Sequence, residues 1–144
     1  MRQKGATGGG ESLLVRIDYN SDEAFYVQVK NQIIMGIATS EIREGESLPS
    51  VRDLAELIGI NMHTVNKAYS ILRQEGYLKL DRRRGAVVAL DPDKQRAIEE
   101  IRFLMKNVVA RALCRDLNKS EIHGILDEVL SEFDDIRSGV YEER

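Results

Sequence analysis

The 144-residue chain has the length of one domain, or of one small domain with an appendage, and its 42% hydrophobic and 31% charged residues are ordinary for a globular protein. It has no apolar run near the ~20 residues of a membrane-spanning helix, and no apolar segment follows the charged N-terminus as in a secretory signal. Because its single cysteine, Cys114, cannot form an internal disulfide, we expect a cytoplasmic protein without a membrane partner.

The net charge of −3 is unevenly distributed along the chain. Residues 13–90 carry ten basic and ten acidic side chains, whereas residues 91–144 carry nine basic and thirteen acidic ones. A neutral segment can still attract nucleic acid when its cations gather on one face, because the local potential guides binding. The charge of residues 13–90 therefore does not exclude a nucleic-acid role.

Composition and periodicity first change near residue 13. Residues 1–12 are glycine-rich and nearly free of apolar side chains, so we expect a disordered arm there. A short extended lead-in at 13–19 precedes a helix that begins near Phe25. The apolar stripe of this helix has helical spacing and comprises Tyr26, Val29, Ile33 and Ile37.

Two short helices are predicted next, separated by a glycine. Ser50 can cap the first, and Gly59 suits the left-handed turn that ends it. Asn61 can cap the second, which extends to about Glu75. After Gly76 the runs YLKLD and AVVAL, joined by RRRG, predict a β-hairpin. Three helices followed by a hairpin is the order of elements in a winged helix-turn-helix, which we assign to residues 13–90.

Residues 91–144 contain two longer helical patterns after Pro92, and the few residues between them favour an antiparallel helical hairpin, with Ser120 as a cap of its second helix. Two such stripes cannot cover each other completely, so a second copy of the chain would bury the remainder in a two-fold dimer. We therefore predict a mainly α protein with a small β-hairpin, whose C-terminal helices form a dimerisation domain. The predicted dimerisation residues are Ile98, Ile101, Met105, Val108, Val109, Ala112, Ile122, Ile125, Leu126, Val129 and Phe133.

The third helix of the winged helix-turn-helix has two faces at 100° per residue. The face that would pack inward is apolar and consists of Val65, Ala68, Tyr69 and Leu72. The opposite face can donate a hydrogen bond from every side chain and consists of His63, Asn66, Lys67 and Ser70. Such a face suits base edges and phosphates in a DNA major groove, and the three arginines at 82–84 could reach the sugar-phosphate backbone or the minor groove.

At these residues the chain resembles the GntR family of bacterial transcription regulators. The matching segments are FYVQVKNQIIMGI, GESLPSVRDLAELIGINMHTVNKAYSILRQEGYL and RRRGAVV, which extend over roughly residues 25–88. Three positions depart from the family pattern. Ala24 and Ser40 stand where proline and glycine are common, and Met62 stands where some relatives carry a polar or basic side chain. The two-helix C-terminus is similar to that of the YtrA-like subgroup, in which it serves mainly to dimerise.

The resemblance implies a homodimeric, sequence-specific regulator, most often a repressor, that binds a palindromic operator in double-stranded DNA, with neighbouring transporter genes as targets. Arg52 would hold phosphate, with a guanine edge as a further target. The third helix would supply groove and backbone contacts, and the hairpin tip would meet the minor groove. The predicted DNA-binding residues are Ser50, Arg52, Asn61, His63, Thr64, Asn66, Lys67, Ser70, Arg82, Arg83, Arg84 and Gly85.

Alternative interpretations stay open at this point. Arg52 could pair with Glu56 at i+4 instead of phosphate. Cys114 could be a redox-sensing thiol instead of a small residue packed at or near the dimer interface. A winged-helix module that binds a protein is the competing class, and it would expose an apolar patch on the third helix.

The sequence contains no grouping that supports catalysis. It has no Ser/His/Asp set, no metal-ligand spacing and no phosphate-binding loop, so we expect no enzyme, no catalytic residue, no metal and no cofactor. His123 beside Glu121 lacks further ligands, and two histidines cannot form the three-histidine metal pocket of some larger relatives. We also expect the C-terminal helices to leave little room for a ligand cavity within one subunit, so a small-molecule effector stays open and unidentified.

Overall fold

The computed structural model describes residues 15–138, and the disordered arm predicted at 1–12 lies outside them. Within these described residues, five helices and one antiparallel two-stranded sheet match the predicted fold class. The chain divides into two compact units between Asp91 and Pro92. In chain order the elements are α1 Phe25–Ala38, α2 Val51–Ile58, α3 Met62–Gln74, β1 Leu78–Asp81, β2 Gly85–Val88, α4 Lys94–Leu113 and α5 Lys119–Arg137.

The core of the first unit lies where α1 and α2 pack on α3 and where α3 meets β1. Its fully buried side chains are aliphatic, and each contributes roughly 1.5–3 kcal/mol through removal from water. The inward face predicted for α3 is buried at all four positions. The largest fully buried side chains are Ile33, Ile42, Leu54, Ile58, Leu72, Val15, Val29, Val65 and Val88.

The segment before α1 is part of this core. Gln28 of α1 is buried, and its amide both accepts from the N–H of Asp18 at 2.8 Å and donates to the carbonyl of Asp18 at 3.0 Å. Gln32, one turn later, makes the same pair of bonds with the main chain of Arg16. These bonds hold two apolar side chains of the segment against the core, Val15 and Ile17.

The predicted caps set the bounds of the next two helices. The Ser50 hydroxyl accepts from the N–H of Asp53 at 3.0 Å, and Gly59 ends α2 in the left-handed region at φ 72°. The Asn61 side chain then caps α3 by accepting from the N–H of His63 at 2.7 Å. Both helices therefore begin on a side-chain acceptor that replaces a missing helical partner.

The end of α1 carries a residue in a conformation that usually belongs to glycine. Ser40 has φ 65°, in the left-handed region, at the position where a glycine is common in the GntR family. The backbone here must turn sharply, because the N–H of Ile42 returns to the carbonyl of Gly36 at 3.0 Å. A side chain at such a position costs about 1 kcal/mol or more.

The hairpin forms as predicted, with Leu78 opposite Val88 and Asp81 opposite Gly85. Residues 45–48, which lead into α2, lie along the other edge of β2. The N–H of Leu48 donates to the carbonyl of Ala86 at 2.8 Å, and Ser47 forms a bridge with Val87. The hairpin, referred to below as the wing (residues 78–88), is thereby fixed to the start of α2.

The second unit consists of α4 and α5, capped by Asp93 and Asn118. Asn118 and Glu121 form a reciprocal capping box, so the prediction that Ser120 caps the last helix is wrong. The reason is that Asn118 reaches the N–H of Glu121 while Ser120 is already inside the helix. No residue of α4 or α5 is buried, and their stripes stay open to solvent.

Candidate nucleic-acid interface

The outward face of α3 is polar, as its periodicity predicts. His63, Asn66 and Lys67 are exposed and Ser70 is half-buried, on the side of the helix opposite its buried residues. Thr64 is half-buried at the first turn. The face therefore offers hydrogen-bond donors and one cation to an outside partner. It carries no apolar patch of the kind that a protein-binding module would present.

The start of the helix-turn-helix adds an exposed cation. Arg52 lies in the first turn of α2, is exposed, and forms no ion pair with Glu56, so the alternative of an i+4 bridge is wrong. The side-chain oxygens of Ser50 and Asn61 accept cap bonds, which leaves the Ser50 hydroxyl hydrogen and the Asn61 amide NH2 as donors for an outside partner.

The wing tip is a tight turn organised by Asp81. The Asp81 carboxylate accepts from the N–H groups of Arg83 at 2.8 Å and Arg84 at 3.0 Å, and these two bonds hold the pKa of the Asp81 carboxyl below its usual value. The guanidinium of Arg84 donates to the carbonyl of Gly45, so this side chain is tied to the loop before α2. The exposed Arg82 and Arg83 side chains form no such bond within the described residues.

A cleft of about 250 Å³ separates α3 from the wing. It is open to solvent and brings together three predicted parts of the site, namely the start of α2, the outward face of α3 and the beginning of β2. The residues that line it are Ser50, Val51, Asn66, Tyr69, Ser70, Arg73, Leu80, Gly85 and Ala86. Its α3 side carries the side-chain donors of Asn66, Ser70 and Arg73, whereas its wing side is lined by Leu80, Gly85 and Ala86.

A buried hydroxyl of α3 joins this helix to the start of α2. Tyr69 is 4% exposed, and its hydroxyl donates to the carbonyl of Pro49 at 2.8 Å. Burial raises the pKa of Tyr69 above its ordinary value, so the phenol stays protonated and remains a donor. Because Pro49 immediately precedes the cap Ser50, this bond fixes the start of α2 beside α3.

Lys67 occupies the other edge of the α3 face, next to α1. Its ammonium nitrogen lies 3.9 Å from the centre of the Tyr26 ring. Such cation–π contacts contribute about 0.5–1 kcal/mol at exposed sites. The cation is thus positioned where α1 and α3 meet.

Arg73 lies outside the predicted set but belongs to the same face. It is exposed and lines the cleft with Asn66 and Ser70, and its guanidinium forms no hydrogen bond or ion pair within residues 15–138. The sequence signal was present, since Arg73 follows Asn66 by seven residues and Ser70 by three, which places all three on one side of a helix.

The second unit contains an apolar cleft of about 580 Å³ between α4 and α5. The expectation that these helices leave little room is wrong, because they diverge enough to open a space of ligand size. Most predicted dimerisation residues line this cleft, and all of them are at least partly exposed. Leu113, which the stripe omits, joins them, and the ionisable lining residues are Lys119 and His123.

The side of α4 opposite the predicted stripe carries Phe103 and, at the end of the helix, Cys114. Phe103 is 73% exposed on the opposite side of α4, and nothing in the structure accounts for it. Cys114 is an exposed free thiol eleven residues later, on the same side of the helix as Phe103. In the single chain Cys114 is therefore not packed against the stripe.

Residues 15–138 contain neither a cluster of metal-ligating side chains nor a candidate membrane-spanning helix. In that part of the chain, no three His, Cys, Asp or Glu side chains are grouped so that they could hold a metal ion. No helix there is both long and apolar enough to span a membrane.

The three-helix core, the paired wing and the polar outward face of α3 define a winged helix-turn-helix of the DNA-binding class. Residues 25–88 match the model of the family described as "Bacterial regulatory proteins, gntR family". The chain is 38% identical to YtrA from Sulfolobus acidocaldarius, a GntR-family transcription factor, over 81% of this chain and 96% of that one, with a TM-score of 0.50. The chain belongs to the GntR family.

Two further relatives support this assignment. The chain is 36% identical to the HTH-type transcriptional repressor YtrA of Bacillus subtilis, and the match covers 53% of this chain but only 58% of that repressor. A crystal structure described as a transcriptional antiterminator from Listeria monocytogenes EGD-e shares 28% identity and a TM-score of 0.71, over 81% of this chain and 90% of that one. The family assignment therefore rests mainly on YtrA from Sulfolobus acidocaldarius, which matches over most of both chains.

Proposed function

We propose that this chain is a transcription repressor that acts in the cytoplasm as a homodimer and binds a palindromic operator in double-stranded DNA. The observation that carries the proposal is the cleft between α3 and the wing, because it aligns the donors of α3 with the arginine-bearing hairpin. One relative of the chain is a transcriptional repressor, which supports repression over activation.

The outward face of α3 suits the major groove. Asn66 can make a bidentate contact with adenine, and His63 and Ser70 can donate to purine or thymine acceptors. Arg52 supplies a cation for phosphate at the start of α2, since no carboxylate neutralises it. Lys67 adds a second cation at the α1 edge.

The wing suits the sugar-phosphate backbone and the minor groove beside the site of α3. The tip presents the exposed side chains of Arg82 and Arg83 on a turn that Asp81 stabilises. Arg84 keeps further guanidinium donors in addition to the one that binds Gly45. A rigid tip loses little conformational entropy on binding, which favours affinity.

The open stripes of α4 and α5 support dimerisation. No residue of α4 or α5 is buried, and the two helices expose large apolar side chains such as Ile101 and Val108, each 57% exposed. Exposed apolar surface of this kind marks a protein interface, and two-fold pairing is the common solution. Two copies of one reading surface related by a two-fold axis would recognise two inverted half-sites.

The proposal leaves the effector unidentified. The 580 Å³ cleft has the volume of a ligand site, but few polar groups line it to orient a small molecule. We therefore assign the cleft to the second copy of the chain. A signal could act between subunits, or on the DNA complex itself.

The decisive experiment is selection of bound duplexes from random-sequence DNA by the purified full chain. We expect enrichment of one motif with two-fold symmetry, and a steep fall of its affinity with salt as each neutralised phosphate releases counterions. Enrichment of no sequence would overturn the regulator and favour a protein-binding module. A motif without symmetry would contradict the dimeric arrangement alone.

Two substitutions separate backbone contacts from base contacts. Arg52→Ala should weaken binding to every duplex and reduce the slope of log affinity against log salt by about 1. Asn66→Ala should cost about 1–3 kcal/mol at one base position and relax the preference there. Lys106→Ala, which removes a cation from the second unit, is the matched control. It should change neither the affinity for DNA nor the base preference. An unchanged affinity for Arg52→Ala would remove that residue from the interface.

Sedimentation of neighbouring aspartate variants tests the dimer. Val108→Asp introduces a charge into the open stripe and should give a monomer. Asn107→Asp introduces the same charge one residue earlier, at a polar exposed position, and should remain dimeric. A dimeric Val108→Asp protein would exclude the stripe as the interface.

A further inference from the structure

Met62, the first residue of α3, is an apolar side chain in a polar surface. It is 43% exposed, and within α3, which is described throughout, it is the one exposed large hydrophobic residue. It borders a shallow hollow of about 450 Å³ at the helix-turn-helix, together with Arg52 and Glu56 of α2. Its side chain is therefore available to an outside partner.

The position of Met62 relates it to the base-reading face. It precedes Asn66 by four residues, so the two lie on the same side of α3 with Met62 one turn closer to the N-terminus. In helix-turn-helix proteins the N-terminal residues of the recognition helix, which corresponds to α3 here, contact base edges. The neighbouring Arg52 is a cation that can hold the adjacent backbone.

The chemistry of the groove limits what an apolar side chain can recognise there. The edges of the bases carry donors and acceptors in the major groove, and the apolar group among them is the C5-methyl of thymine. A methionine is flexible and polarizable, so it can adapt its three side-chain torsions to such a methyl group.

We propose that Met62 is a specificity-determining residue that selects thymine by packing against its C5-methyl group. This inference rests on the proposed DNA-binding function and adds one base preference to it. Burial of one methyl group is equivalent to roughly 0.8 kcal/mol, or about fourfold in affinity. Because a two-fold dimer places one Met62 in each half-site, loss of both methyl groups should cost about sixteenfold.

The test uses the operator selected from random-sequence DNA. Each thymine is replaced in both half-sites by uracil, which lacks the methyl group and keeps every hydrogen-bonding atom, and then by 5-bromouracil, which restores a group of similar size. For the wild-type chain we expect one thymine position per half-site at which uracil weakens binding by about sixteenfold and 5-bromouracil restores it.

Variants assign this discrimination to the side chain. Met62→Ala should bind the uracil and thymine operators equally, and it should bind the uracil operator about as well as the wild-type chain does. Met35→Ala removes a methionine that is 50% exposed on α1 and should keep the full discrimination. Equal melting temperatures of the two variants would show that folding does not explain the difference.

Three outcomes overturn the inference while leaving the regulator intact: no thymine in the selected half-site, wild-type indifference to uracil at every position, or unchanged discrimination in Met62→Ala. Failure of the wild-type chain to select any DNA overturns the proposed function and this inference together.

Discussion

Removal of the Tyr69 hydroxyl tests how the start of α2 is fixed beside α3. The Tyr69→Phe substitution keeps the ring, which is 4% exposed, and deletes the 2.8 Å hydrogen bond to the Pro49 carbonyl. A typical hydrogen bond contributes about 1 kcal/mol net. Pro49 is half-buried, so we apply the contribution of a typical hydrogen bond and not the larger penalty of a fully buried unpaired acceptor.

We therefore expect the free energy of unfolding to fall by about 1 kcal/mol, which lowers the melting temperature of a domain of this size by roughly 4–8 °C. Thermal unfolding followed by far-ultraviolet circular dichroism measures this shift. One fixed protein concentration is used, because the proposed dimer would melt in a concentration-dependent way. Urea unfolding should show a lower midpoint with an unchanged slope.

Tyr19→Phe is the matched control. The Tyr19 hydroxyl also donates to a main-chain carbonyl, that of Gly59, but at 3.3 Å and from a side chain that is 53% exposed. Its loss should change the stability by less than about 0.5 kcal/mol. If both variants melt at the same temperature, the Tyr69 hydroxyl does not stabilise the fold and the reasoning fails.

Three further outcomes are expected. Ser40→Gly should raise the free energy of unfolding by about 0.5–1 kcal/mol in urea, because relief of the strain at φ 65° exceeds the added freedom of the unfolded chain; a destabilised variant would contradict this. Asn118→Ala should lower helicity by circular dichroism and cost about 1 kcal/mol through loss of the capping box, whereas Ser120→Ala should be nearly neutral. The Asp81 carboxyl should titrate below its usual pKa in an NMR experiment that follows the amides of Arg83 and Arg84. Because the pKa is depressed in the folded state, the stability that this carboxylate contributes is present above the unfolded pKa of about 3.9 and is lost as the pH falls through the folded pKa. A titration midpoint at or above about 3.9 would refute the two hydrogen bonds.

The first unit was largely predictable because its signals are local. The acceptors Ser50 and Asn61 and the turn glycine Gly59 lie within three residues of the ends that they define, and the apolar period of α3 gives its buried face directly. The hairpin likewise follows from two strand-like runs around a short turn. Each of these features depends on neighbours in the sequence.

The features that escaped prediction depend on distant or competing partners. The bonds of Gln28 and Gln32 join α1 to residues ten and sixteen positions away, and no periodicity indicates them. The hydrogen bond from Arg84 to the Gly45 carbonyl joins residues thirty-nine positions apart. It leaves Arg82 and Arg83 as the wing-tip arginines whose side chains are not tied to the described part of the chain. At the N-terminus of α5, both Asn118 and Ser120 are residue types that can cap a helix. Asn118 is the cap because Glu121 completes a reciprocal capping box with it.

The hydrogen bonds of Gln28 and Gln32 in α1 determine where a DNA-binding unit that folds independently must begin. The family pattern starts at residue 25, yet the interior it encloses is completed by Val15 and Ile17, ten and eight positions earlier. A fragment that begins at residue 25 would lack Val15 and Ile17, so two spaces in the hydrophobic core would be unfilled. The side-chain amides of Gln28 and Gln32 would also lose their main-chain partners. Chimeras that exchange DNA specificity between relatives should therefore be spliced ahead of Val15.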